Sequence, residues 1–514
     1  MADEENTPPP QQQNGNGAQT PGAEAEGQNE EHGESESEEP SPIVGLMQDD
    51  AYHGLVPMED VASLLKQNGA YLVRSTYENT EKQRIVISVY WNEQIKDIEI
   101  LSAENRGVTF DCNTYKNTIL ELIHWHRHQM IPVNKDGVLL GRAVKRQSWE
   151  LRRQNIVQEE KIGEGAFGEV FKGKLKQPDG QFVQVAIKVP KSALGSKAID
   201  EAMKEARIQK DYVHPNVLRL FGVSAEMEPL MIVLEYVGGG SLVKFLNQNR
   251  DSLTVANKAM YCFDVTCGLD YLHSKSTIHR DLAARNCLVC VKYGIVKISD
   301  FGLSSVGNVQ IMDRTKPAPI RWLAPEVLGT AKYCKAADVW SMAITWWEIF
   351  TCAQELPFKN YTLAEIQQKL LQDAEFHPNM PPDCPIEIQK LALKCWSKDP
   401  NKRPAAMLCT MKLSKFAVPE RYMKIPGLGI DLTGLKKKKK KKAAKTQNTT
   451  KAPTLQASEK KEKESVKPSN KSVKQKYNTK RGSASRKSKK MTSSSDSKEK
   501  VGPSKKKSIK SVKR

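Results

Sequence analysis

The sequence predicts an α+β protein: two successive globular units, the first centred on antiparallel strands and the second strand-rich and then helical, between disordered ends. Three observations carry this. Large apolar residues are scarce in 1–48 and 435–514 of the 514 residues. Between about 50 and 142, β-branched and aromatic runs are flanked by stretches of helical spacing. From 156 to 419 a glycine-punctuated strand region gives way to helical periodicity.

Charge sharpens the outer boundaries. Residues 1–48 hold eleven acidic residues and no Lys or Arg, with many Pro, Gln, Asn and Gly. Such a segment buries too little apolar surface to offset the entropy of ordering. Residues 435–514 hold thirty Lys and Arg against five acidic residues and begin with the lysine run Lys436 to Lys442. Like-charge repulsion keeps that segment open. The net charge of +19 thus reports mainly the tail. No apolar run is long enough to cross a bilayer. The start, Met-Ala-Asp-Glu-Glu, has neither a secretory signal nor the glycine that myristoylation needs. Ten scattered cysteines show no metal-ligand spacing beyond the pair Cys287 and Cys290, as expected of reduced thiols in a cytoplasmic protein.

Within 50–142, Val61 to Leu65 has helical spacing. Tyr71 to Arg74, Arg84 to Tyr90 and Ile95 to Ile100 read as strands, and Thr118 to His128 as a second helix. In the larger unit, Gly163-Glu164-Gly165-Ala166-Phe167-Gly168-Glu169-Val170 follows Ile162. Glycines there let backbone approach phosphate oxygens. A dinucleotide fold would place a helix directly after the glycines. Here Glu169 to Gly173 continues as a strand, which makes the loop a hairpin lid over a nucleotide. Val185-Ala186-Ile187-Lys188 then places a lysine after an apolar strand. Either it pairs with ATP phosphates, with Glu205 as its helix partner, or it is a surface lysine ending a strand.

The segment His279-Arg280-Asp281-Leu282-Ala283-Ala284-Arg285-Asn286 is more specific. Asp281 is placed to accept the proton of a substrate hydroxyl, and Asn286, five residues on, to hold a magnesium ion. Asp300-Phe301-Gly302 follows, where Asp300 bridges the metal to the phosphates, and then Ala324-Pro325-Glu326, Asp338-Val339-Trp340-Ser341 and Arg403.

These residues resemble the eukaryotic protein kinase family. The resemblance implies a bilobal fold with ATP and Mg²⁺ (or Mn²⁺) in the cleft between lobes. It also implies a gatekeeper at Leu234 before the hinge Glu235-Tyr236-Val237, an adenine held by Val170, Ala186 and Leu288, and an ion pair of Glu326 with Arg403. Ala283 with Arg285, together with Pro319-Ile320-Arg321-Trp322, resembles the tyrosine-specific branch, the non-specific protein-tyrosine kinase class, so tyrosine in protein substrates is the expected acceptor.

In front, Tyr52-His53-Gly54, Tyr71-Leu72-Val73-Arg74 and the strand to Tyr90 resemble an SH2 domain, a central antiparallel sheet flanked by two helices. Arg74 matches the buried arginine that grips phosphotyrosine, so phosphotyrosine proteins are expected partners. The pocket departs from the family pattern: Met58 stands where a second arginine is common, Asp97 where histidine is common, and Glu99 lies close by. Carboxylates there repel a phosphate, so weak binding is expected. Order of domains, the joining segment Asp136 to Val144, and Lys204-Glu205-Ala206-Arg207-Ile208 resemble most the Fes/Fer non-receptor kinases.

Two departures bear on regulation. No tyrosine lies between Asp300 and Glu326, leaving Ser304, Ser305 and Thr315 as hydroxyls. Gln209 stands where an apolar residue is usual, and a buried amide is costly unless partnered. A weakly active phosphotyrosine scaffold is therefore the rival to an active kinase. The basic tail is read as a solvated segment, as a contact for an anionic membrane surface, or as a nuclear import signal. Nucleic acid is an unfavoured partner, because Tyr477 is the tail's sole aromatic residue.

Overall fold

A computed structural model of the chain describes residues 43–77, 83–165, 168–190, 196–315 and 317–424. Most of the acidic head, the polybasic tail, and Ala166 and Phe167 of the glycine loop lie outside the described residues.

The first unit is built on three strands, β1 (Tyr71–Tyr77), β2 (Gln83–Trp91) and β3 (Gln94–Glu99), antiparallel in that order. Helix α1 (Met58–Leu64) precedes them. A short hairpin of β4 (Leu101–Ala103) and β5 (Gly107–Thr109) and helix α2 (Ile119–Gln129) follow. Strand alternation sends Tyr71, Val73, Ile87 and Val89 into a core with Ile119, Leu122 and Ile123 of α2. Thr118 caps α2 by accepting from the Glu121 amide, at 3.2 Å. Order begins earlier than composition predicts. Leu46, within the expected disordered head, is buried in this core, and the carbonyl of Met47 accepts from Arg146 and Arg152. Local composition is blind to that anchoring, because its donors lie about a hundred residues away.

The second unit opens with β6 (Ile156–Gly165), β7 (Gly168–Lys176) and β8 (Phe182–Val189), then helix α3 (Ser196–Gln209), β9 (Leu220–Ser224) and β10 (Met231–Glu235). The sheet order is β6-β7-β8-β10-β9, all neighbours antiparallel. Helices α4 (Leu242–Gln248) and α5 (Val255–Ser274) begin the helical lobe. There follow β11 (Thr277–Ile278), the pair β12 (Cys287–Cys290) and β13 (Ile295–Ile298), β14 (Ser305–Val306), β15 (Val309–Ile311), α6 (Pro325–Thr330), β16 (Lys332–Cys334) and α7 (Lys335–Phe350). Helix α7 is buried nearly throughout, with Trp340 and Trp346 fully enclosed. The lobe also extends past the expected end at 419: Arg421 and Tyr422 dock on the buried Asp264.

The two units share an interface. Gly54 has φ 68°, and a Cβ there would stand 2.0 Å from the Ala225 carbonyl oxygen, so glycine is required by close approach as well as by backbone sign. The Leu55 amide donates to that oxygen at 2.7 Å. Arg207 of α3 donates through Nε and Nη2 to the two carboxylate oxygens of Asp60 in α1, at 2.7 and 2.8 Å.

Candidate active site

The glycine loop is a hairpin, as its sequence predicts. Gly163 stands opposite Val170, Glu164 opposite Glu169 and Gly165 opposite Gly168. It roofs a cleft of about 430 Å³ between the lobes. Ile162, Val170, Ala186, Leu234 and Leu288 give the cleft apolar walls, and Glu235 to Val237 line its back. Every described residue expected at the nucleotide site lines this cleft except Glu169, whose carboxylate turns to Lys161.

Lys188 projects from β8 and meets Glu205 of α3, with Nζ 2.9 and 2.8 Å from the two carboxylate oxygens. Because β8 is flanked on both sides by hydrogen-bonded strands, the lysine's position is fixed by backbone pairing. The reading of Lys188 as a surface residue is thereby set aside. Gln209, one turn beyond Glu205, is buried, and its Nε2 donates to the Leu218 carbonyl at 2.6 Å. The amide that looked costly in sequence has found its partner. Tyr212 takes the place beside Phe301, with ring centroids 5.6 Å apart, and Phe301 in turn meets His279 at 5.4 Å.

Below the cleft runs the 279–286 loop, held from beneath by α7. Asp338 accepts from the backbone amides of His279 and Arg280, at 2.8 and 2.9 Å. Arg280 adopts φ 72°, and its guanidinium lies 4.7 Å from the ring centre of Tyr333. Asp281 receives Nδ2 of Asn286 at 2.7 Å and a guanidinium N–H of Arg285. Burial raises the Asp281 carboxyl above the ordinary carboxylate range, against the pull of Arg285, His279 and Asn286. A poised base needs this direction of shift. Asp300 faces the same cleft in a left-handed conformation, φ 63°. A non-glycine residue held there carries strain that the surrounding fold must over-determine, a state that concentrates at functional sites.

Asn286 and Asp300 both line the cleft. Nδ2 of Asn286 is directed to Asp281, so its amide oxygen is the group left for a cation. Amide and carboxylate oxygens form a hard donor set, which suits Mg²⁺ or Mn²⁺.

The segment after Asp300 is held by strand pairing. β14 pairs with β11, and β15 with β16. Ser304 and Ser305 are buried, while Thr315 is exposed. Beyond it Trp322 approaches the catalytic loop, the Arg285 guanidinium lying 4.2 Å from the Trp322 ring centre.

In the strand-centred unit, Arg74 is buried at the middle of β1. Its nitrogens are already engaged: Nε donates to Ser88 Oγ at 2.9 Å, Nη1 to the Val56 carbonyl at 3.2 Å, and Nη2 to Asp97 Oδ2 at 2.5 Å. Ser88 donates to the other Asp97 oxygen at 2.5 Å. Glu99 turns toward Arg84 at 3.3 Å and away from this cluster, and Met58 is exposed at the start of α1.

Sequence reasoning passed over two groups. One is the Asp60–Arg207 pair between the units, which carried no local signal. The other is Glu348, whose single charge in the apolar run Ile344 to Phe350 could have marked it. Its Oε2 accepts from the Ala284 amide at 2.9 Å and from Trp322 Nε1 at 3.0 Å.

Comparison with known proteins places these features. Residues 156–413 match the family described as protein tyrosine and serine/threonine kinase, and 52–126 match the SH2 domain. The chain is 36% identical over 363 residues to the tyrosine-protein kinase transforming protein Fps of avian sarcoma virus (strain PRCII), covering 70% of this chain and 66% of that one. It is 34% identical over 362 residues to the human tyrosine-protein kinase Fer, covering 70% and 43%. A Fer-related kinase 1 from Caenorhabditis elegans is 34% identical over 370 residues, covering 71% of this chain and 93% of that one. The chain thus spans well under the full length of Fer and nearly all of the nematode relative.

Proposed function

We infer that this chain, which belongs to the SH2-containing protein tyrosine kinases of the Fes/Fer type, transfers the γ-phosphoryl group of ATP to tyrosine in protein substrates. The observation that carries the reading is convergence. Lys188, Glu205, Asp281, Asn286 and Asp300 come from four separate segments, and together they surround one cleft and the loop beneath it.

In this mechanism the nucleotide base lies between Val170, Ala186 and Leu288, with the hinge Glu235 to Val237 behind it. Glu205 orients Lys188 toward the α- and β-phosphates. Asn286 and Asp300 hold the divalent ion, which supplies neutralisation of charge on the phosphate oxygens. Asp281 orients the acceptor hydroxyl and takes its proton, with its carboxylate aimed by Arg285 and Asn286. Phosphate transfer from ATP to a mixed Tyr, Ser and Thr peptide library tests this, with Asp281→Asn as control. Transfer restricted to Ser and Thr, or none above the control, overturns it. Replacing Mg²⁺ by Mn²⁺ in the same assay identifies the preferred ion.

The SH2 unit is assigned weak phosphotyrosine binding, because a ligand phosphate must displace Asp97 from Arg74. Titration with a panel of phosphotyrosine peptides tests this assignment. Tight binding abolished by Arg74→Leu overturns the weakness. Complete absence of binding makes the unit a clamp on α3 through Asp60 and Arg207. For the polybasic tail a solvated role comes first, and an anionic membrane surface, to which each nearby lysine contributes about 1 kcal/mol, is the next candidate partner. Fractionation of cells expressing intact and tail-deleted protein separates that partner from a nuclear or purely solvated role.

A further inference from the structure

We propose that Glu348 is a positioning residue for the tyrosine acceptor, joining the segment Pro319 to Trp322, read here as the platform for the substrate peptide, to the loop that carries the base. The proposal rests on the reading of the chain as a tyrosine kinase and adds a residue to that site.

Helix α7 grips the catalytic loop at two places. Asp338 holds the amides of His279 and Arg280, and Glu348, ten residues further on, holds the amide of Ala284. That separation is about 15 Å along the helix, so the loop is fixed near both ends by one rigid element. Glu348 also reaches a segment outside the loop and α5, which Asp338 does not. The oxygen that accepts from Ala284 also accepts from the indole N–H of Trp322. The Trp322 ring then carries the Arg285 guanidinium on its face, and Arg285 donates to Asp281. A continuous chain of contacts therefore runs from Glu348 through Trp322 and Arg285 to the base.

The two tyrosine-specific signatures in the sequence, Ala283 with Arg285 and the segment Pro319 to Trp322, look independent there. In the fold Ala284, which lies between the residues of the first, and Trp322 of the second meet on one carboxylate oxygen. The chemistry of the acceptor explains why they should. A tyrosine hydroxyl stands farther from its main chain than a serine hydroxyl, so the peptide platform must be set back from Asp281 by a fixed amount. Glu348 fixes that offset, because the same atom locates platform and loop. Both hydrogen bonds are buried, so without the acceptor each N–H would be left unsatisfied. The amide oxygen of glutamine can accept both hydrogen bonds; leucine can accept neither.

Steady-state kinetics of the full chain on a tyrosine peptide, with ATP and peptide varied separately, test the proposal. Glu348→Leu is expected to lower kcat/KM for the peptide about tenfold while the KM for ATP stays within about twofold. Glu348→Gln restores the peptide value. Trp322→Phe, which keeps a ring but removes the N–H, reproduces most of the loss and serves as the deciding variant if Glu348→Leu does not fold. Peptide kcat/KM unchanged in Glu348→Leu and Trp322→Phe overturns the proposal, as does an equal loss for ATP and peptide. A wild-type chain without turnover would sink the kinase reading alone. Titration of the peptide against the ADP-bound chain then still decides, with binding weakened by leucine and retained by glutamine as the expected result.

Discussion

Two cation–carboxylate pairs, one in each unit, are chemically alike and differently placed. Lys188 and Glu205 meet at 2.8 Å, and Arg74 and Asp97 at 2.5 Å. Both cations are expected to face a phosphate. In the kinase cleft the carboxylate comes from a helix behind the lysine, and the pair borders an open volume of about 430 Å³ shared with Asp300. In the SH2 unit the carboxylate comes from β3, two strands over from Arg74, where Asp97 stands in register with Ser88 of β2, and it takes up the arginine's own donors. On the reading proposed above, the first carboxylate supports a phosphate site, and the second competes with one. What separates a supporting carboxylate from a competing one is the direction from which it approaches, and the charge pair alone does not reveal it.

That contrast can be broken in graded steps. Lys188→Met should lower phosphate transfer about a thousandfold with folding intact, as loss of a charged donor from a preorganised site does. Circular dichroism and turnover, measured together, check it. Asp60→Asn should cost the contact between α1 and α3 about 2 kcal/mol, less than for a fully buried pair because the Arg207 side chain is 21% exposed. Faster proteolysis in the 143–155 segment and a lower kcat are the readouts. Asp97→Asn should raise affinity for phosphotyrosine peptides about tenfold, since the asparagine no longer neutralises Arg74. Unchanged affinity would mean that Asp97 does not compete.

A further test concerns pH. Burial raises the Glu348 carboxyl from its ordinary 4.5 to about 7, against hydrogen bonds from Ala284 and Trp322. An acid whose folded pKa is raised contributes stability that is present below the unfolded value and lost as pH climbs through the folded one. Thermal unfolding of wild type should therefore lose ground to Glu348→Gln between about pH 4.5 and 7 and track it beyond, because glutamine does not titrate. A constant difference across that window would show that Glu348 keeps an ordinary pKa.

Much of the site was legible because its chemistry is carried by short segments. Asp281 and Asn286 are five residues apart and share one loop, so their hydrogen bond follows from local chain geometry. The hairpin at Gly163 to Gly168 was legible for the same reason, since strand residues continue on both sides of the glycines. Gln209 was not. Its cost depended on whether a carbonyl lay within reach, and Leu218 supplies one from beyond the end of the helix. The acceptor candidates after Asp300 were likewise narrowed by burial. Ser304 and Ser305 are enclosed, which leaves Thr315 as the exposed hydroxyl among the three.

The sequence by itself determined the order of the two units, the residues that border the nucleotide cleft and the tyrosine-specific signatures, because each is written in neighbouring residues whose spacing is set by the backbone. Only the tertiary structure decided that Asp97 occupies Arg74, that Asp60 grips Arg207 across the interface, and that Glu348 ties Trp322 to Ala284. These pairs lie 23, 147, and 26 and 64 residues apart. Their meeting depends on how strands register and how helices pack, and local chain geometry carries no record of either.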